Sequence, residues 1–317
     1  MGQGKYMSKK TLALYFDCAS GAAGDMLLAA VLDVCAEIRA EGHLFLRKSA
    51  EFPRGEMDER LKSWYGEIEG FLSLERGARI EVSRVIRSSV QALKVDFFVG
   101  ETHADSHRSS LYSHHQSGYY HGHIPAREHT NQHEHQSGHH HHRSLHDIER
   151  ILEQETAHGR FSDAALNLST KIFHIIASAE ARVHGTDIEQ VHFHEVGAFD
   201  SIMDIAGFSA AFCMLNTDLV HASPPTVGSG SVQTAHGLLA VPAPAVVEIL
   251  RCHKIPVGDK LAEGERLTPT GAAILAAIVD EWGPLPPFRQ IHHQGMGAGT
   301  RDIPGTPNVV RLISGEL

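Results

Sequence analysis

The segment that decides the fold is residues 11–35, TLALYFDCASGAAGDMLLAAVLDVC. The alternating pattern of Thr11 to Phe16 predicts a strand, and apolar residues from Leu27 to Ile38 recur at helical spacing. A loop with two glycines, Asp17 to Asp25, joins the strand to the helix. A strand, a loop and a helix in this order are typical of a layered α/β protein.

The rest of the chain continues the alternation of strands and helices. Further strands are predicted at Arg79–Val85, Leu93–Val99, Leu219–Ala222 and Asn308–Ile313. Ser144 and Asp147 resemble a capping box at the start of a helix. Further helices are predicted at Ser162–His184, Asp200–Leu215, Pro244–Arg251 and Thr268–Trp282. We therefore expect an α/β fold, a layered mixed sheet with flanking helices and a disordered His-rich insertion.

The composition argues against several classes of partner and location. The net charge is −10 without a concentrated Lys/Arg stripe, so nucleic acid is not an expected partner. No stretch reaches the roughly 18 apolar residues that span a bilayer, so no membrane association is expected. The four cysteines form no C-x-x-C pair, and the N-terminus lacks an apolar signal core. These features predict a cytoplasmic protein.

Histidine is the unusual feature of the composition. The chain has 25 histidines, and fourteen of them lie between His103 and His146. Residues 101–143 are poor in aliphatic side chains, so we expect them to be disordered without metal. They separate an N-terminal α/β part, residues 1–100, from a helical and α/β part, residues 144–317. We expect these two parts to pack together as one domain. Imidazole suits Ni, Cu and Zn, and this predicts a high-capacity metal site, with a solvated linker as the alternative. Its most concentrated ligands are His139, His140, His141 and His142.

A second candidate metal site follows the insertion. In an extended backbone, His192 and His194 point to one face, and Glu195 is adjacent. Asp200 and Asp204 are four residues apart on the next predicted helix and share a face. Two imidazoles and these carboxylates form a plausible ligand set. The alternative is a core histidine and an exposed aspartate pair.

Three glycine- or threonine-containing segments are candidate anion sites. A loop that leads into a helix presents free N–H groups, which bind phosphate, and an arginine in a glycine loop can bind a phosphate or a carboxylate in bidentate fashion. The alternatives are a connecting turn, a helix cap and a surface ion pair. The candidate residues are Ser20, Gly21, Gly24, Thr268, Thr270, Gly271 and Arg301. Cys18, in the first of these loops, is either a soft ligand or a small buried residue.

Six segments in order along nearly the whole chain carry a family resemblance. They are LYFDCASGAAGDM (14–26), VHFHEVGAFDSIMDI (191–205), SPPTVGSG (223–230), AHGLLAVPAPA (235–245), LTPTGAA (267–273), and GMGAGTRD (295–302) with PNVV (307–310). Together they resemble the LarC nickel-insertion family.

The resemblance implies a nickel chelatase of the lyase class. That family inserts Ni²⁺ into a pyridinium bis-thiocarboxylate mononucleotide and so completes the cofactor of lactate racemase. On this chain, the loops would hold the substrate's phosphate, and His192, His194 and Glu195 would present Ni²⁺. The family reaction uses CTP with Mg²⁺ or Mn²⁺, which here requires the family's C-terminal domain from a separately encoded chain. This chain would then be the N-terminal part of the enzyme. We also expect a homo-oligomer.

Two other functions remain open on the residues alone. The first is non-catalytic nickel storage or delivery by the His-rich tract. The second is zinc-dependent hydrolysis with His192, His194 and Asp200, although no general base accompanies these ligands.

Overall fold

The computed structural model describes residues 11–35, 44–47, 59–100, 102–103, 143–193, 198–234, 237–259, 262–303 and 305–317. Within them, the helices are α1 (Gly24–Cys35), α2 (Glu59–Ile68), α3 (Leu145–Ala157), α4 (Asp163–His184), α5 (Phe199–Cys213), α6 (Pro244–His253) and α7 (Pro269–Ile278). The strands are β1 (Leu12–Asp17), β2 (Leu44–Arg47), β3 (Ala78–Arg87), β4 (Val90–Val99), β5 (Thr102–His103), β6 (Arg143–Ser144), β7 (His192–Phe193), β8 (Leu219–Ala222), β9 (Gly228–Ser229), β10 (Ser231–Thr234), β11 (Gly237–Ala240), β12 (Gly264–Glu265), β13 (Glu281–Trp282), β14 (Gln290–Ala298) and β15 (Val309–Glu316).

Nine of the described strands form one mixed sheet. Its order is β13-β8-β1-β15-β14-β4-β3-β2, and β5 pairs with β4. The strand β1 lies between β8, which is parallel to it, and β15, which is antiparallel. The early strand β1 therefore lies among strands from after residue 144, and both parts of the chain contribute to one sheet. The predicted α/β class with a mixed sheet is confirmed.

The helix α1 lies at the centre of the core. Leu27, Leu28 and Leu32 of α1 are fully buried. Leu14 and Phe16 of β1 are at most 1 % exposed. A helix that is apolar on all sides is stable only when protein surrounds it. The strand β14 approaches α1 closely, because a Cβ atom at Gly297 would lie 1.9 Å from the carbonyl oxygen of Met26. The start of α1 is consequently fixed relative to the sheet.

Several local predictions are confirmed by the hydrogen bonds. Ser144 and Asp147 form a reciprocal capping box at the start of α3. The Ser162 side chain caps α4, and Gly185 ends that helix in the left-handed conformation. A polar residue in β4 also has an explanation, because Asp96 pairs with Lys94, which is 6 % exposed.

The last predicted helix ends four residues earlier than its pattern indicates. We expect it to reach Trp282, but α7 ends at Ile278. The Asp280 N–H donates to the carbonyl oxygen of Val220, and the Val220 N–H donates to Asp280 Oδ2, both at 2.9 Å. These bonds bring β13 into parallel pairing with β8. The prediction was wrong here because pairing with a distant strand overrides local helical spacing.

The turn between β3 and β4 also departs from ordinary preferences. Ser88 and Ser89 both have positive φ, 45° and 71°. Two-residue hairpin turns favour this conformation and glycine or asparagine in it. The Ser88 hydroxyl donates to the carbonyl oxygen of Ile303 at 3.1 Å, which links the turn to the loop after β14.

Among the described residues, no helix combines the length and apolar character needed to cross a bilayer.

Candidate functional site

A pocket of about 570 Å³ opens where the first turns of α1, α5 and α7 meet the loop after β14. Segments that are far apart in the sequence, around residues 24, 200, 268 and 300, form its lining. Six of the residues predicted as site residues lie in this lining: Gly24, Asp200, Asp204, Thr268, Thr270 and Arg301. The fold therefore brings candidate anion-binding and metal-binding residues into one pocket.

Two loops, before α1 and before α7, hold the starts of these helices side by side. The Ala22 N–H donates to the carbonyl oxygen of Arg266 at 2.9 Å, and the Thr268 N–H donates to that of Ala22 at 3.1 Å. Glycines allow this approach: a Cβ at Gly21 would lie 2.2 Å from the Arg266 oxygen, and one at Gly271 would lie 2.3 Å from the Ala22 oxygen. Both helices therefore direct their N-termini to the same region.

Three of the predicted phosphate-binding residues do not line the pocket. They are Ser20, Gly21 and Gly271. The Gly21 N–H already donates to the carbonyl oxygen of Cys18 at 2.9 Å, and the Gly271 N–H donates to Thr268 Oγ1 at 3.1 Å. In this arrangement, these two glycines serve loop packing and helix capping.

Three aspartates, which we call the acidic set, lie at the starts of two helices. Asp25 is in the first turn of α1, and Asp200 is in the first turn of α5, with Asp204 one turn further on. The α5 helix approaches α1 closely, because a Cβ at Gly24 would lie 2.6 Å from Asp204 Oδ2. Helix N-termini stabilise carboxylates by about 0.3–1 kcal/mol, so the first-turn positions favour the charged form.

The predicted metal ligands are only partly brought together. Asp200 and Asp204 share a face of α5 and line the pocket, as their spacing predicts. His192 is exposed on β7, which pairs with Ser144, and it is not a lining residue. No group of three or more His, Cys, Asp or Glu within the described ranges is arranged to hold a metal. The other predicted ligands lie outside the described residues: His139, His140, His141, His142, His194 and Glu195.

Two arginines, which we call the basic set, also line the pocket: Arg266 and Arg301. Arg266 Nε donates to the carbonyl oxygen of Glu263 at 3.0 Å. Its Nη1 atom is buried and has no hydrogen-bond partner in the described part of the chain. Burial and, to a lesser degree, the charge of Arg301 lower the pKa of Arg266. Arg301 Nη1 donates to the carbonyl oxygen of Glu265 at 3.4 Å.

A short ribbon, β9 with β12, holds Arg266 in place. Gly228 pairs with Glu265 in this ribbon, and the Arg266 N–H donates to the carbonyl oxygen of Val227 at 3.2 Å. A Cβ at Gly228 would lie 2.0 Å from the carbonyl oxygen of Gly264. Residues 223–230, one of the six segments that carry the family resemblance, therefore support Arg266 without lining the pocket.

The loop after β14 is fixed by two buried polar residues. Lys94 Nζ donates to Thr300 Oγ1 at 3.3 Å, and the Thr300 hydroxyl donates to Asp25 Oδ2 at 3.5 Å. Asn308 Nδ2 donates to the carbonyl oxygen of Arg301 at 3.0 Å. Thr300 thus connects the acidic set to the loop that carries Arg301.

Among the pocket residues that the sequence did not single out as site residues, four make the contacts described above: Asp25, Arg266, Thr300 and Asn308. Three of them lie inside segments that carry the family resemblance, and this is the one signal that indicates them. Arg266 directly precedes such a segment, and neither periodicity nor spacing distinguishes it from a surface arginine.

The thiol in the first loop does not reach the pocket. Cys18 is fully buried, and burial, reinforced by the charge of Asp17, raises the pKa of its thiol. A metal ligand must be a thiolate, and burial disfavours that form. Of the two interpretations of Cys18, the structure supports the small core residue.

Known proteins with similar sequences agree with the resemblance. The profile of a family described as nickel insertion protein matches residues 58–316. A pyridinium-3,5-bisthiocarboxylic acid mononucleotide nickel insertion protein from Geobacillus kaustophilus is 35 % identical over 303 residues, 96 % of this chain and 59 % of the relative. A protein of the same description from Acetivibrio thermocellus is 35 % identical over 303 residues, 96 % of this chain and 60 % of the relative. One from Desulfitobacterium hafniense is 46 % identical over 176 residues, 56 % of this chain and 42 % of the relative.

The chain spans about 60 % of the length of the relatives that it matches along most of its own length. No solved structure is significantly similar to it. The family match covers most of the chain and includes the pocket segments around residues 200, 268 and 300. The start of α1, which also lines the pocket, lies before the matched residues. The chain therefore belongs to the nickel insertion protein family.

Proposed function

We propose that this chain is a nickel chelatase, or its N-terminal part, that inserts Ni²⁺ into a pyridinium bis-thiocarboxylate mononucleotide during maturation of the lactate racemase cofactor. The observation that carries the proposal is the pocket itself. It combines the acidic set, together with Asp302 and Glu265, with two arginines and two helix N-termini. One reactant is a divalent cation and the other carries a phosphate, so the reaction needs both kinds of group in one place.

The phosphate is assigned to the starts of α1 and α7. Gly24 begins α1, and Thr268 and Thr270 begin α7, so N–H groups without intrahelical partners face a shared region. The hydroxyls of Thr268 and Thr270 are hydrogen-bonded to each other at 2.9 Å, which leaves one of them as a further donor. Arg301 supplies a cation in the same lining. Together these groups suit a phosphate monoester.

The nickel substrate is assigned to α5 and the segment before it. Asp200 and Asp204 offer carboxylate oxygens from one helix face. His192, His194 and Glu195 are proposed to complete the delivery site, since they directly precede that helix in sequence. Sulfurs of the organic substrate are softer ligands than carboxylates, which favours transfer of Ni²⁺ from protein to substrate. In this proposal, CTP with Mg²⁺ or Mn²⁺ supports the insertion, as the family resemblance implies.

Nickel storage or delivery is a second candidate function. Fourteen histidines lie between His103 and His146, and His142 directly precedes β6. That strand pairs with β7, which carries His192. The chain connectivity thus joins the end of the tract to the candidate delivery segment, so that loosely held nickel would be released close to His192.

Deletion of residues 102–142 tests the two functions together. Equilibrium dialysis with Ni²⁺ measures the stoichiometry of the deleted and intact chains. A chelatase predicts that a few tight sites survive and that nickel still enters the pyridinium mononucleotide when CTP, Mg²⁺ and the C-terminal domain of a relative are supplied. Storage alone predicts loss of nearly all bound nickel. Absence of nickel in the mononucleotide with the intact chain contradicts the chelatase.

A further inference from the structure

We propose that Arg266 is a binding residue for the phosphate monoester of the pocket's ligand and acts as a clamp with the neighbouring Arg301. The inference rests on the proposed function, because it names the group that recognises one end of that substrate. It adds a residue that no local sequence pattern indicates. It also assigns a role to the ribbon of β9 and β12.

The first argument is the unsatisfied state of Arg266. Its guanidinium has one hydrogen bond, from Nε to the carbonyl oxygen of Glu263, and it makes no ion pair within the described residues. Its Nη1 atom is buried without a partner. A buried donor of a charged group without an acceptor is costly and needs an explanation, and for Arg266, which lines the pocket, a bound ion provides one. The missing acceptor is therefore expected to be an anion that enters the pocket.

The second argument is the neighbourhood of Arg266. Arg301 lies close enough that its charge disfavours the charge of Arg266. Two like charges are held near each other, and a dianion between them would remove this repulsion. Guanidinium groups present forked donors that match phosphate oxygens in bidentate geometry. The N-termini of α1 and α7 add partial positive charge in the same pocket. A phosphate monoester offers two negative charges and several acceptor oxygens to this pair of arginines, beside which Glu265 and Asp302 also line the pocket.

The third argument is the backbone construction around Arg266. Its carbonyl oxygen accepts from the Ala22 N–H at 2.9 Å, and its N–H donates to the Val227 carbonyl oxygen at 3.2 Å. A side chain at Gly21 or Gly228 would collide with this segment. The fold therefore fixes the Arg266 backbone from both sides. A surface arginine needs no such support, whereas a binding residue gains affinity from a fixed position.

The test compares a mononucleotide with the corresponding nucleoside in the absence of nickel. Calorimetry on the full chain uses nicotinate mononucleotide and nicotinate riboside, which differ by the phosphate. We expect the mononucleotide to bind roughly ten- to hundred-fold more tightly than the riboside. Arg266→Gln should reduce mononucleotide affinity to the level of the riboside and leave riboside affinity unchanged, and Arg266→Lys should recover part of the loss. Arg150→Gln, at an exposed arginine of α3 outside the pocket, is the matched control and should change neither.

Several outcomes overturn the proposal. The first is that Arg266→Gln and wild type bind the mononucleotide with equal affinity. The second is that wild type binds the mononucleotide and the riboside equally well. The third is that the mononucleotide does not bind. If Arg266→Gln does not fold, competition by inorganic phosphate tests the proposal on the wild-type chain. Phosphate should displace the mononucleotide but not the riboside. Failure of phosphate to compete with the mononucleotide overturns the clamp. Nickel insertion is scored separately. A clamp that binds without insertion contradicts the proposed function alone, and insertion without phosphate recognition contradicts the clamp alone.

Discussion

The acidic set and the basic set share one pocket but are built in different ways. The aspartates are in the first two turns of helices whose interiors are buried in the core, so the core fixes their positions. Arg266 and Arg301 are in connecting segments, and their positions depend on loop hydrogen bonds and on glycines that permit close packing. The carboxylates are thus a direct result of core packing, whereas the guanidiniums need dedicated supports. This difference explains why the family resemblance extends to segments that do not line the pocket.

The largest expected effect comes from Lys94, which donates to Thr300, the residue that connects the two sets. Lys94→Met removes the buried charge that pairs with Asp96, whose side chain is 13 % exposed, and the donor to Thr300. Breaking a buried ion pair costs about 3–5 kcal/mol, so we expect a loss of that size in the free energy of unfolding. Both nickel and mononucleotide binding should weaken. Urea denaturation and calorimetry measure the two effects.

Lys62→Met is the matched control for Lys94→Met. Lys62 pairs with Glu59 on α2, where the side chains are 36 % and 87 % exposed, and such surface pairs contribute about 0–1 kcal/mol. Equal destabilisation by the two substitutions would show that Lys94 does not hold the pocket loop.

The second prediction separates the acidic set from the basic set. The double substitution Asp200→Asn and Asp204→Asn should reduce nickel transfer by roughly 100-fold, since ligand and supporting groups typically contribute factors of this order. Mononucleotide affinity should stay within about two-fold, because the phosphate contacts are retained. Asp163→Asn, at an exposed first-turn aspartate of α4, should change neither quantity. Nickel transfer at the wild-type rate in the double variant would remove these residues from the delivery site.

The third prediction separates the supports of the basic set from the core. Gly228→Ala places a Cβ 2.0 Å from the Gly264 carbonyl oxygen and should displace Arg266. We expect mononucleotide affinity to fall about ten-fold, because a small misplacement of a binding group has a large effect, while nickel binding is unchanged. Gly230→Ala is the control: its φ is also positive, 90° against 92° at Gly228, but its side chain would meet open space. Equal losses in both variants would attribute the effect to backbone conformation and not to the approach of the ribbon.

The smallest expected effect is a difference in pH dependence between the two ligands. A phosphate monoester loses its second charge below about pH 6, whereas arginine stays protonated. Mononucleotide affinity should therefore fall by about a few-fold between about pH 7.5 and pH 5, and riboside affinity should stay constant.

Nickel binding should also weaken below about pH 6, because a ligating imidazole must be neutral. Nickel binding that is constant over this range would argue against histidine as the main ligand.

Much of the fold followed from local patterns. The strand, loop and helix of residues 11–35, the caps at Ser144, Ser162 and Thr268, and the strand at the end of the chain were all predicted within a few residues. The helix α2 was not predicted, although Leu61, Trp64, Tyr65 and Ile68 are its buried residues and have helical spacing. The predicted sharing of a helix face by Asp200 and Asp204 needed nothing beyond the helical period.

The sequence by itself determined which residues could carry charge, cap a helix or turn the chain, because these properties depend on neighbours a few positions away. Tertiary structure alone decided that Gly24, Asp204, Arg266 and Thr300 face one pocket, since their proximity results from sheet order and helix packing across more than two hundred residues. It also decided that Gly21 and Gly271 serve packing, because the atoms that a side chain would meet there belong to a distant segment. Local spacing contains no information about such contacts, and the free energy of burying α1 against the sheet and α5 brings them about.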